Sequence, residues 1–202
     1  MIYTAMFVVG IILIVVSTNF FLRRHDLFGD LADKYDIQIL TRDLAIALPG
    51  GNSLTVNVAK SDRLAAWRIY SQIKTRVAAI DFNEKYDSVL LVHESLYKVF
   101  DVIRTEISEI PIDRVKKNRA DAMVDFYLGI LNEGIRPHLT QWHIPLKQWV
   151  ENEQKKHPDQ SILELEQRYP RRKELLESLA AMNNRMKSYS NELLRIAKGG
   201  EN

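Results

Sequence analysis

The chain begins with a run of apolar residues that has no polar face. Ile2, Phe7, Ile11, Leu13, Val15, Phe20 and Leu22 belong to a stretch, residues 2–22, in which no side chain carries charge. At about 1.5 Å per residue a helix of that length spans roughly 30 Å, the hydrocarbon thickness of a bilayer. Asn19, its most polar side chain, sits near one end, and Arg23, Arg24 and His25 follow at once. A cleaved leader would need basic residues ahead of the apolar run, and none is present. A buried core helix would show an apolar and a polar face. The pattern therefore predicts a single transmembrane helix. Arg23 and Arg24 set the topology, keeping the remainder of the chain on the cytoplasmic side of the inner membrane.

Beyond residues 23–36, a juxtamembrane linker, the period changes to two. Leu44, Ile46 and Leu48 alternate, Pro49-Gly50-Gly51-Asn52 supplies turn residues, and Leu54, Val56 and Val58 alternate again. Residues 37–60 are expected to hold a β-hairpin, packed on helices or joined by a further strand near 37–40, with a short helix through Leu40 to Leu48 as the alternative. From Ser61, a candidate N-cap, the spacing becomes helical: Leu64, Ile69, Ile73, Val77 and Ile80. Asn83 is a candidate cap for a second helix with the stripe Val89, His93, Leu96, Phe100, Ile103, Ile107 and Ile110, stopped by Pro111.

A third helix is expected over 116–132, with Met123, Tyr127, Ile130 and Leu131 inward and Gly134 closing it. Ile135, Leu139, Trp142, Leu146 and Trp149 define a fourth, with a kink or break near Gln141 caused by Pro145. Residues 151–160 read as a surface connection and 161–168 as a short helix. Pro170 opens the last helix, where Leu175, Leu179, Met182, Met186, Tyr189, Leu193 and Ile196 keep a heptad until Gly199-Gly200. The expected fold is mainly α: an N-terminal transmembrane helix (1–22), then a cytoplasmic antiparallel helical bundle (61–199) carrying a small β-hairpin.

Composition narrows the functional classes. All 28 Lys+Arg and 26 Asp+Glu follow the apolar run, and a net charge of +2 is too small to argue for a nucleic-acid partner. With no cysteine there is neither a disulfide scaffold nor a thiolate metal site. His93-Glu94 starts like a zinc-protease motif, but position 97 is tyrosine, so the second ligand is missing. His138 and His143, five residues apart, point about 140° away from each other on a helix, whereas helical zinc ligands sit three or four apart. Packing or surface roles are expected for both. Gly50-Gly51 lacks the Gly-Lys-Ser/Thr of a phosphate loop. Asp121 and Asp125 share a face as solvated carboxylates commonly do.

Two features remain as interaction candidates: the aromatic pair Trp142 and Trp149, of which Trp142 keeps the apolar stripe and is expected in the core while Trp149 fits core or contact equally, and the basic cluster Arg171, Arg172 and Lys173 at a helix start, where positive charge opposes the macrodipole. With no catalytic motif and no cofactor signature, the expectation is a single-pass, membrane-anchored interaction or assembly protein. Its partners would be the bilayer and a protein or further copies of itself, through surplus apolar stripe on the last helix. The alternatives are a sensor or effector subunit of a bacterial stress or anti-phage defence system, and a membrane-proximal enzyme whose site assembles from separate helices.

Overall fold

The computed structural model describes residues 42–112, 114 and 121–200. The expected membrane span, its flanking Arg23 and Arg24, the linker and the strand near 37–40 lie outside the described residues. Among the described residues no helix is long and apolar enough to cross a membrane.

The period-two stretch forms the expected hairpin. Strand β1 (Arg42–Ala47) pairs antiparallel with β2 (Ser53–Val58), with Leu44 opposite Val56 and Ile46 opposite Leu54. Gly50 and Gly51 take φ of 100° and 89°, values that side-chain-bearing residues avoid, and so let the chain reverse in a short turn. Two strands alone are marginal in water. This pair buries Leu44, Ile46, Val56 and Val58 against the helical layer, within one continuous core.

Among the described residues six α-helices follow: α1 (Lys60–Lys74), α2 (Val89–Ser108), α3 (Asp121–Gly129), α4 (Arg136–Lys156), α5 (Ile162–Gln167) and α6 (Arg172–Ala197). Helix α6 is the centre of the bundle. Its seven heptad residues are all at most 1% exposed, and it packs on α1, α4 and β1. The stripe expected to be in surplus is thus consumed by the chain's own core.

Several boundaries differ from expectation, each for a local reason. Ser61 does not cap α1. Ala59 does, and the Asp62 carboxylate accepts its backbone N–H at 2.8 Å. The buried face of α1 is Asp62, Ala65, Ala66, Ile69 and Ile73, so Leu64 is exposed, as is Ile80 beyond the end of the helix. Asn83 caps only a turn, accepting from the Lys85 N–H, and Ser88 begins α2 instead. Pro145 does not break α4, which runs on through Lys156 and takes up the first part of the expected surface connection.

Gly134 does not end a helix either. Residues Ile130–Ile135 form a π-helical turn that joins α3 to α4. A Cβ on Gly134 would stand 3.1 Å from Met186 Sδ and 3.4 Å from the Tyr189 ring, so the missing side chain serves the close approach of α6.

Helix α5 is only six residues long and depends on its cap. Ser161 Oγ accepts the Glu164 N–H, and the Glu164 carboxylate returns to the Ser161 N–H at 2.8 Å. Ser161→Ala is expected to lower stability by about 1 kcal/mol, read as a fall in the thermal midpoint. An unchanged midpoint would show that packing alone holds α5.

Candidate functional site: three histidines beside a groove

Helix α2 presents one buried stripe, Val89, His93, Leu96, Phe100 and Ile103, and His93 is fully buried in it. Helix α4 packs there with Leu139, Trp142 and Leu146. His93 Nε2 lies 3.0 Å from His138 Nε2, and His138 Nδ1 lies 2.9 Å from Ser178 Oγ on α6. The His143 ring is centred 5.5 Å from His93 and meets Tyr97 edge-on at 5.2 Å. Three histidines that the sequence disperses therefore converge.

Two proton arrangements fit the His93–His138 contact. If His138 donated, His93 would carry its other proton on Nδ1, a buried atom with no partner. If His93 donates, its Nδ1 keeps only a lone pair, and His138 gives its Nδ1–H to Ser178. The second leaves no buried N–H without an acceptor, and we assign it on that ground.

All three rings are pushed toward the neutral form. Burial, then the neighbouring His138 and His143, brings His93 down to about 3. Burial and Arg185 bring His138 down to about 4. His143 is lowered by burial and Lys147, with Glu94 opposing. Bases this weak, shut away from solvent, make the Ser178–His138–His93 chain a poor proton relay for catalysis. Among the described residues no group of three or more His, Asp or Glu side chains is placed to hold a metal ion.

Beside the cluster lies a groove of about 520 Å³ between α2, α4 and α5. Its apolar walls are Leu90, Val150 and Ile162. Its rim carries both charge signs, with Glu94, Lys147, Glu151 and Lys155, and His143 joins it to the buried rings.

The second dense polar cluster is a clamp. Arg114 grips Asp62 through two hydrogen bonds of 2.7 and 2.8 Å, and Arg68 grips Glu106 through two of 2.6 and 2.7 Å. Both pairs are bidentate, so their charges are spent on each other.

Of the expected interaction residues, Trp142 is only 1% exposed and is covered by the Arg171 guanidinium at 4.5 Å. It is a core residue on the apolar stripe of α4. Trp149 is half-buried edge-on against Tyr169, 5.5 Å away. Arg171 binds Glu174 and Arg172 binds Glu84, which leaves Lys173 as the exposed member of the cluster without a partner among the described residues. Asp121 and Asp125 are exposed.

Sequence reasoning passed over Trp67, 53% exposed and stacked on Tyr70 at 5.6 Å. The available signal was a tryptophan that fits none of the apolar stripes. No protein-family model matches this chain, and neither curated proteins nor solved structures provide a match.

Proposed function

We propose that this chain is an interaction protein, tethered to the inner membrane by residues 2–22, whose cytoplasmic helical domain docks a partner protein. The groove between α2, α4 and α5 is the observation that carries it. Its apolar walls and mixed-charge rim offer buried contact area with polar edges, the usual anatomy of a protein interface. The His93–His138 pair beside it is neutral and enclosed, which favours docking over the alternative of an assembled active site.

A photoreactive side chain at Ile162, 47% exposed on the groove wall, tests this in the full chain. Irradiation of intact cells is expected to give one discrete adduct with a protein. The same probe at Tyr86, 70% exposed and outside the groove lining, should give none. No adduct at either position would dismiss docking through the groove.

A sensor subunit of a stress or defence system is the second reading. His143 favours it, because a ligand in the groove would touch a ring that contacts the buried pair. Depolarisation of the membrane that requires an intact 2–22 segment would support it over simple assembly.

A further inference from the structure

Helix α1 turns its only carboxylate inward. Asp62 is 3% exposed and bound to Arg114, while Lys60, Arg63, Arg68 and Lys74 lie on the exposed side. Between these cations stand two large apolar side chains, Leu64 and Trp67, 52% and 53% exposed. On a helix of 3.6 residues per turn, Lys60, Leu64, Trp67, Ser71 and Lys74 follow one another along a single stripe. This outward stripe contains no acidic residue.

The surroundings sharpen that chemistry. Arg63 is tied to the Ala197 carbonyl and Arg68 to Glu106, with Glu109 a further 3.6 Å neighbour of Arg68. The nearby carboxylates are therefore engaged by arginine, while Lys60 and Lys74 have no partner among the described residues. Leu64 also borders a small depression with Ile110 and Pro111, whose charged lining is Asp62 with Arg114 and Glu106 and Glu109 with Arg68. Trp67 stacks on Tyr70, presenting a rigid aromatic pair beside the lysines.

A protein partner matched to this face would need acidic groups around an apolar pocket. A bilayer containing anionic lipid supplies both components at once, with negative headgroups above an apolar layer. Tryptophan and lysine are the side chains suited to that boundary.

We infer that the outward stripe of α1, centred on Lys60, Leu64, Trp67 and Lys74, rests on an anionic lipid surface. This depends on the membrane tethering proposed above, which would hold the domain within reach of the headgroups. The groove stays available to a partner. On α2, Glu94 borders the groove and Glu106 holds α1, and twelve residues separate them by about 18 Å along the helix.

The chain has no cysteine, so one introduced thiol can carry a spin label without competition. Full-length Ser71→Cys and Tyr86→Cys proteins, labelled and reconstituted into vesicles, report local contact with oxygen and with a water-soluble nickel chelate. In vesicles of phosphatidylglycerol and phosphatidylcholine, the label at 71 should favour oxygen and the label at 86 should favour nickel. In pure phosphatidylcholine, or at high salt, the label at 71 should become wet. Lys60→Glu with Lys74→Glu should have the same effect in anionic vesicles. Each lysine near an anionic surface is worth about 1 kcal/mol, so removing the two positive charges alone shifts occupancy about 30-fold, and the two added carboxylates act in the same direction.

A label at 71 that is wet in anionic vesicles, while the protein still floats with them, overturns the lipid-facing assignment and leaves tethering intact. Shielding at 71 that survives both charge reversal and removal of anionic lipid also overturns it, since a protein contact then covers the face. Failure of the unaltered chain to float removes tethering and the inference together.

Discussion

Replacing Glu166 with alanine is expected to lower the unfolding free energy by about 3–5 kcal/mol, the largest single-residue loss anticipated in this domain. Glu166 is 1% exposed, and its carboxylate accepts from Ser88 Oγ at 2.8 Å, the Val89 N–H at 2.7 Å and the Leu90 N–H at 3.0 Å. These are first-turn groups of α2 that have no partner within the helix. A negative charge there also meets the positive end of the helix dipole. Alanine would strand two backbone donors in the interior. Glutamine keeps the volume and one accepting oxygen, so Glu166→Gln should lose only about 1–2 kcal/mol.

Denaturation midpoints of the full chain in mild detergent would give the ranking, and hydrogen exchange at Val89 and Leu90 would locate the damage. Equal losses for alanine and glutamine would mean that the charge contributes nothing. Because Glu166 fastens α5, which carries the Ile162 wall of the groove, the alanine variant should also lose the Ile162 adduct.

Acid should destabilise this fold well above the pH at which carboxylates titrate. His93 and His138, held near 3 and 4, are neutral in the folded chain, while the unfolded chain titrates near 6.5. Above 6.5 neither state binds protons at these rings and they impose no penalty. Below 6.5 the unfolded chain gains protons that the folded chain refuses, so stability falls until the folded rings accept them near 4 and 3. At pH 5 each ring contributes a loss of about 2 kcal/mol, or roughly 4 kcal/mol together. Arg185 beside His138 and Lys147 beside His143 add positive charge, and Glu94 near His143 offers partial relief. Denaturant midpoints measured from pH 7.5 to 5.5 should fall steadily, and His93→Leu should roughly halve the slope. A flat profile over that range would mean that the rings are solvated in the native state.

The elements legible in the sequence are those whose stability comes from one uninterrupted pattern. The alternation around Gly50-Gly51 gave the hairpin because a buried strand face requires period two. The heptad from Leu175 to Ile196 gave α6 because every member faces the same core. The pattern misled where small residues did the packing. Ala65 and Ala66 lie against the core while the bulkier Leu64 is left outside.

The candidate site was hidden for a different reason. Separation by 140° argued that His138 and His143 could not act together, which holds for groups meeting over their own helix. Here that angle leaves one at each edge of the buried stripe of α4, and a ring from α2 resting across the stripe reaches both. Glu166 was invisible for the same cause. Its partners are 76 to 78 positions away, and no local spacing encodes a cap borrowed from another helix.

The wide turn at Ile130–Ile135 lets one long rod serve two audiences. A turn of that type holds more residues than its neighbours, so it rotates what comes after it relative to what came before. Upstream, Met123, Phe126 and Tyr127 are aimed inward on the segment that meets β2. Downstream, Leu139, Trp142 and Leu146 are aimed inward on the segment that meets α2 and α6. A straight, evenly wound rod would have to sacrifice one of these allegiances. The surplus turn works as a phase shifter, allowing the sheet end and the histidine end of the domain to be shaped independently along a single axis.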